Sequence, residues 1–251
     1  MSESARLPAE PMSVSHLKSA WENLGREDPL WAILSDPTKQ HRGWDIAEFM
    51  ATGRVQIDGF AGLLKEHGLS FGERVLDFGC GVGRLTNALA EQAAEAVGVD
   101  IAESMIEQAE RLNQYPGRVR FLSYDGTALP FADASFDSAI SIIVLQHVRH
   151  PVQIACLLEL QRVVRPGGTL VVQIPSPKPD MPTTHRLDPP RSEVPADGDL
   201  TAMVEMHGLP TEFVRLLFRH CGSELVAAVP DDLAGAGWDS FTYLVRPGAA
   251  A

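Results

Sequence analysis

Apolar residues recur along this chain in two rhythms. Val14, Leu17, Ala20, Trp21 and Leu24 repeat at three- and four-residue spacing and predict a first helix. Ile57, Phe60, Leu63 and Leu64 predict another, running from Ile57 to His67 and closed by Gly68. From there short apolar runs take turns with helical patterns. The runs are 75–78, 96–100, 119–123, 138–144 and 169–174. The helices between them carry Leu85, Ala88 and Leu89, then Met105, Ile106, Ala109 and Leu112, then Ile154, Leu157, Leu158 and Val164. Ser104 and Glu107 have the spacing of a capping box, and Arg165-Pro166-Gly167-Gly168 would stop the following helix with glycine as its cap. A helix from Thr211, capped by its own hydroxyl, and two further strands, 225–229 and 241–245, complete the pattern. Strand and helix in alternation require a parallel sheet with helices on both faces, an α/β doubly wound fold.

Two stretches depart from this rhythm. Residues 175–200 hold seven prolines among mixed charges, which rules out a regular element and reads as a lid or binding loop. Three of the four tryptophans, Trp21, Trp31 and Trp44, precede the first strand, so the opening helices form a cap whose aromatic rings can also wall an acceptor pocket. The expected organisation is a disordered lead over 1–12, a helical cap over 13–54, a main domain over 55–246 with an insertion at 175–210, and a tail at 247–251.

Composition narrows the function classes. With 251 residues, 45% of them apolar, one domain builds its core without staples. Net charge is -12 with basic residues scattered, so the positive stripe that a nucleic acid requires is missing. Cys80, Cys156 and Cys221 make no C-x-x-C pair and no signal peptide precedes them, as expected for reduced thiols in the cytoplasm. No apolar run is long enough to span a bilayer. The cap and the insertion are the surfaces on which a homodimer could form.

The candidate chemistry centres on Asp77-Phe78-Gly79-Cys80-Gly81-Val82-Gly83-Arg84. Its glycines let the backbone turn sharply and lie against a ligand, and Cys80 meets the turn's need for a small side chain. A dinucleotide fingerprint needs a small residue where Arg84 stands, and Asp77 is a poor neighbour for a pyrophosphate, so an NAD(P)-dependent oxidoreductase is disfavoured. Asp100 closes the second strand, where a carboxylate accepts both ribose hydroxyls or caps the next helix. Asp125 and Gly126, after the third strand, are spaced to read an adenine edge. His147 ends the fourth strand, where a neutral imidazole can act as base or cap the next helix. His150 reads as the N-cap before Pro151, and His150, His207 and Trp238 are candidates for the acceptor side.

The 77–83 run, together with Leu129-Pro130-Phe131 and Ser135-Phe136-Asp137, resembles the class I S-adenosylmethionine (SAM) dependent methyltransferases, in family order from about residue 55 to 246. The resemblance implies a Rossmann-like seven-stranded sheet whose last strand inserts antiparallel beside the fifth. It implies that Asp77 and the backbone of Gly79, Cys80, Gly81 and Gly83 face the methionine part of SAM. Asp100 would hold the ribose and Ile101 the adenine face, Asp125 and Gly126 the adenine edge, with Ile142 and Ile143 beside the sulfonium. Arg54 and Arg84 are candidates for the cofactor carboxylate. The expected activity is O-methylation of a small polyhydroxylated acceptor, a sugar, glycoside or natural product, with His147 as base and S-adenosylhomocysteine (SAH) as product. N- or C-methylation and a silent SAM-binding module are the alternatives. A Mg2+-assisted variant would use His147 or a lid carboxylate, although no ligand spacing supports it.

Overall fold

The computed structural model describes residues 14–177, 185–186, 205–235 and 237–249; the expected lead and most of the proline-rich insertion lie outside the described residues. Three helices open the chain: α1 (Val14–Glu27), the short α2 (Pro29–Ile33) and α3 (Ile46–Glu66). The helix expected from Ile57 is only the second half of α3, which is 21 residues long and starts where the Asp45 carboxylate accepts the Glu48 N–H. Its buried face, Phe49, Met50, Gly53, Ile57, Phe60 and Leu64, keeps helical spacing throughout, so the expected border at 54/55 falls inside one rigid element. Gly53 does not break it. There α3 crosses α4 (Arg84–Leu89), and a Cβ at that position would lie 2.4 Å from the Arg84 carbonyl oxygen.

Five parallel strands follow, β1 (Arg74–Phe78), β2 (Glu95–Asp100), β3 (Val119–Ser123), β4 (Phe136–Ser141) and β5 (Val164–Ser176), interleaved with α4, α5 (Glu103–Arg111) and α6 (His150–Val163). Two-residue strands β6 (His185–Arg186) and β7 (Glu205–Met206) pair antiparallel, and α7 (Thr211–His220), β8 (Glu224–Asp231) and β9 (Asp239–Arg246) complete the chain. The seven-stranded order is β3-β2-β1-β4-β5-β9-β8, with β9 antiparallel to both neighbours, as the resemblance implied. Leu76, Val97, Ala139 and Leu170 pack with α6 and α7 on one side of the sheet, and Val75, Ala96, Ile140 and Val171 belong to the cluster with α3 and α4 on the other. A third cluster under the opening helices joins Leu24, Phe49, Met50, Val82 and Met105.

Several local expectations are corrected. The fourth strand stops at Ser141, not Val144, and a 3-10 turn over Leu145–His147 takes the place of its expected end. Helix α6 ends at Val163, so Gly167 is no cap. Arg165 to Gly168 lie inside β5, and Gly168 is needed because a Cβ there would meet the Asp137 carbonyl oxygen at 2.3 Å. The insertion leaves later than expected: Pro175 and Ser176 still pair with Ser240 and Asp239 of β9, and β6 gives the stretch one regular piece. Thr211 does not cap α7; its hydroxyl lies 3.1 Å from the Tyr243 hydroxyl. Nor do Ser104 and Glu107 make a capping box. The start of α5 is capped from α1, whose Glu22 carboxylate accepts the N–H groups of Glu103 (2.6 Å) and Ser104 (3.2 Å). The tail begins pinned: Pro247 O accepts from Gly167 N–H, and Gly248 N–H donates to Ser223.

Candidate active site

Strand order reverses between β1 and β4, and an open α/β sheet leaves a crevice beyond the C-terminal ends of its strands at that point. The glycine turn lies there. Gly79 and Cys80 donate to the Val99 carbonyl at 2.8 and 3.0 Å, while the Asp100 carboxylate accepts Gly81 N–H on one oxygen and Ala102 N–H on the other, each at 2.9 Å. Gly79 and Gly81 have φ of 76° and 52°, a region that disfavours side chains, and a Cβ on Gly81 would lie 2.5 Å from the Ile33 side chain of α2.

The crevice is a cleft partly open to solvent. Its floor is the strand ends: Phe78, Gly79, Asp100, Ile101, Tyr124, Gly126 and the segment Ile142 to Val144. Val14, Leu17 and Trp21 of α1 and Ala32 and Ile33 of α2 form an apolar roof, and Val148, Val152 and Cys156 form the α6 side. Of the four tryptophans only Trp21 lines it. Trp31 and Trp44 donate their indole N–H groups to the carbonyls of Asp36 and Leu34 and serve the cap itself.

Of the residues singled out in the sequence, the fold brings Gly79, Gly81, Asp100, Ile101, Gly126, Ile142, Ile143 and His147 to the cleft. Asp77, Cys80, Gly83 and Asp125 stand outside its lining. Asp77 lies beneath the turn, buried, accepting the Thr86 hydroxyl at 2.6 Å, and burial lifts its pKa to about 6. Cys80 is buried, and burial raises its thiol pKa well above the usual range. Gly83 is the left-handed N-cap of α4, and Asp125 accepts from the N–H and hydroxyl of Thr127 at the surface. Trp238 and His207 are absent from the lining, as is His150, which is the first residue of α6 rather than its N-cap, a place held by Arg149. His150 Nε2 donates to the Gly208 carbonyl, and His207 Nε2 to the Glu205 carboxylate.

Arg84 reaches the cleft and Arg54 does not. The Arg84 guanidinium is almost fully buried. It donates to Gln56 Oε1 (2.8 Å) and weakly to Thr52 Oγ1 (3.4 Å), and its Nε has no hydrogen-bond partner among the described residues. Burial pulls its pKa down to about 10, with the Asp77 charge opposing. A buried cation with a free donor and no carboxylate bonded to it is suited to pair with an anionic group.

The wall near His147 is strained and then fixed. Ile143 has φ of 61°, where a β-branched side chain costs roughly 1–3 kcal/mol. Its N–H donates to Oε1 of the fully buried Gln173 at 3.0 Å. Gln173 Nε2 reaches Gln146 Oε1 (3.1 Å) and Ser240 Oγ (2.8 Å), Gln146 Nε2 faces His147 Nε2 (3.2 Å), and His147 Nδ1 faces the Glu205 carbonyl (3.0 Å). Burial drops the His147 pKa to about 4, so the ring is neutral. None of Gln146, Gln173 and Glu22 stands out in the sequence, because an amide or carboxylate in an apolar or helical run carries no pattern of its own. Among the described residues, no three His, Cys, Asp or Glu side chains are grouped to hold a metal ion, which leaves the Mg2+ variant without a donor set there. No helix of the described residues is long and apolar enough to cross a membrane.

A glycine-cradled cleft at the switch point, a carboxylate at the end of β2 and an unmatched buried cation define a site for a nucleoside-type cofactor with an anionic tail. Residues 76–172 match the family model described as "Methyltransferase domain". A probable SAM-dependent methyltransferase of Mycolicibacterium smegmatis is 31% identical over 67% of this chain and 68% of its own length, and the chain belongs to the SAM-dependent methyltransferases. The demethylmenaquinone methyltransferase of Clavibacter sepedonicus is 41% identical, but the match spans only 40% of this chain and 40% of that protein. Magnesium protoporphyrin IX methyltransferase from Synechocystis PCC 6803, solved with bound SAM, shares the fold at a TM-score of 0.63 and 18% identity, covering 95% of this chain and 99% of that one.

Proposed function

We propose that this protein transfers the methyl group of SAM to a hydroxyl on a predominantly apolar small molecule, such as a phenol or enol. The observation that carries this reading is the pairing, in one cleft, of the Asp100 end with its glycine turn and an apolar chamber made by Trp21, Val144, Val148 and Val152. When bound, SAM supplies a methyl group on a sulfonium that is lost to a nucleophile in line. The chain's own part is to hold and align. Asp100, already turned into the cleft by two amides, has oxygens suited to ribose hydroxyls, and Arg84 has the free donor suited to a carboxylate. Alignment of the reacting atoms contributes several kcal/mol without any charged catalyst.

The chamber favours an apolar acceptor over the small polyhydroxylated one expected from the sequence. Among the described residues, both His147 nitrogens face protein partners, and burial holds the Cys156 thiol neutral by raising its pKa to about 12. Each sugar hydroxyl buried without a partner would cost about 1–3 kcal/mol. His147 is the residue proposed to receive or orient the acceptor proton. Its low pKa suits a hydroxyl that is acidic by itself.

That same low pKa supports a second reading, methylation of a nitrogen or carbon that needs no base. Incubation with methyl-labelled SAM and separate pools of phenols, saccharides, amines and carboxylic acids separates the readings. Label in the phenol pool is expected, with His147→Ala lowering turnover by roughly 100-fold and leaving SAH affinity intact. Label in saccharides alone would overturn the apolar acceptor. Label in amines alone, or full activity of His147→Ala, would overturn the role of the histidine.

A further inference from the structure

The hydrogen-bond chain behind the cleft wall has only one consistent direction. A backbone N–H can only donate, so the Gln173 atom facing Ile143 N is its oxygen. The Gln173 amide nitrogen is then left to donate to both Gln146 Oε1 and Ser240 Oγ, which uses its two protons. Gln146 consequently presents its own nitrogen to His147 Nε2, which must accept. At the far end the Glu205 carbonyl can only accept, so His147 Nδ1 must carry the proton. The two fixed ends demand the same tautomer.

We propose that Gln173 and Gln146 are positioning residues for methyl transfer, holding His147 as the Nδ1–H tautomer and fixing the bend at Ile143 that shapes the cleft. This rests on the reading of the cleft as a methyl-transfer site. The strands supply the reason for the arrangement. Gln173 is on β5 and Ser240 on β9, both inside the sheet, whereas Ile142 to His147 is a loop that has left β4; the amide ties the loop to the rigid part. The only ring nitrogen with a lone pair is Nε2, so any proton taken from an acceptor arrives there in competition with the long bond from Gln146.

The chain also reaches the insertion. Glu205 and Met206 form β7 on its return, the Glu205 carboxylate takes two bonds from Arg149 at 2.7 and 2.8 Å, and His207 N–H donates to the Gln146 carbonyl at 2.6 Å. His147 therefore meets Glu205, His207 and Arg149 from this side, the edge of Trp21 from α1 at 5.5 Å, and no charged group from β5. The carboxylate of Glu205 is committed to Arg149 and His207, which leaves its carbonyl as the partner of the ring.

Protein labelled with 15N-histidine gives a direct reading by two-bond 1H–15N correlation, the His147 signals being those lost in His147→Ala. A neutral Nδ1–H pattern that does not change from pH 5.5 to 8 is expected; an Nε2–H pattern, or titration within that range, overturns the proposal. Gln173→Met, close in volume but without donor or acceptor, should lower kcat at least 10-fold while SAH affinity stays within threefold. Gln173→Glu tests polarity independently of packing. With its carboxyl neutral it can still accept from Ile143 N–H and donate its single O–H to Gln146 Oε1, giving up only the second donation to Ser240. Once ionised it can only accept, Gln146 must turn, and His147 must gain a proton on Nε2. Recovery of kcat at low pH with loss at higher pH, accompanied by that Nε2 signal, is the expected outcome; a flat profile with an unchanged tautomer overturns it. Wild-type SAH calorimetry separates the two layers. Absent SAH binding would refute the methyl-transfer reading, while the tautomer stands or falls on the spectra.

Discussion

Glu22 holds the roof of the cleft, and removing its carboxylate tests whether the roof matters. The side chain is 13% exposed, and its oxygens accept the first two N–H groups of α5, so it acts as an N-cap supplied by a neighbouring helix. The Ser104 hydroxyl returns a bond to the Glu22 carbonyl, and that bond survives substitution. Glu22→Ala then loses one short and one long charge-assisted bond and the favourable helix-end charge, about 2 kcal/mol in all. Because α1 supplies Val14, Leu17 and Trp21 to the cleft, the loss should act on the docking of α1 and shift that equilibrium roughly 30-fold toward release. Hydrogen exchange over residues 14–27 should accelerate by that factor, with the strands unchanged, and SAH should bind more weakly. Burial opposes ionisation of Glu22, but the amide bonds outweigh it and leave the pKa below the usual glutamate range. A depressed carboxylate pKa stabilises above the unfolded value, so the docking contribution is complete above about pH 5 and is lost as pH falls through the folded-state pKa. Unchanged exchange over α1 together with unchanged SAH affinity in Glu22→Ala would refute the clasp.

Other outcomes follow from the same geometry. Arg84→Met keeps the buried stem but removes the unmatched guanidinium, so SAH should bind about 10- to 100-fold more weakly while methylthioadenosine, which has no carboxylate, binds as before; calorimetry with both ligands decides, and equal losses would show that Arg84 only supports α4. Asp77 is held neutral more strongly in the folded protein than in the unfolded chain, since burial raises its pKa from 3.8 to about 6. The folded state then binds the extra proton, and stability falls by on the order of 3 kcal/mol as pH rises from about 4 to 6. Asp77→Asn, which keeps an oxygen for the Thr86 hydroxyl, should flatten that slope in urea titrations across this range; superimposable wild-type and variant profiles would contradict it.

The fold was legible because its signals are periodic and local. Apolar runs ending in Asp77 and Asp100 mark strand ends on the cofactor side, and three glycines in five positions mark the turn between β1 and α4. What escaped was set by partners distant in sequence. Ile142-Ile143-Val144 has the composition of a strand, yet the chain leaves β4 at Ser141 because Gln173, thirty residues on, captures the Ile143 N–H. The expected border at 54/55 cut through α3 beside Gly53, and only the closeness of Arg84 shows why a continuous helix needs a glycine there. Ser104 and Glu107 offered a local cap, but Glu22 lies closer to the open amides. His147 was found by its place in the chain, while the tautomer proposed for it rests on two glutamines that no motif marks.

The cofactor end of the cleft gathers groups that the fold alone would disfavour. A carboxylate pushed toward neutrality, a guanidinium with a free donor and a β-branched residue at positive φ are each locally unfavourable, and Asp77, Arg84 and Ile143 stand within one turn-and-wall assembly. Surrounding elements fix each in place: Thr86 on Asp77, Gln56 on Arg84, Gln173 on Ile143. A core needing only stability would replace all three with apolar or unstrained residues at little loss. On the proposed reading the unmatched Arg84 serves the carboxylate of SAM, whereas Asp77, beneath the turn and outside the cleft lining, braces the turn through Thr86, and Ile143 shapes the wall.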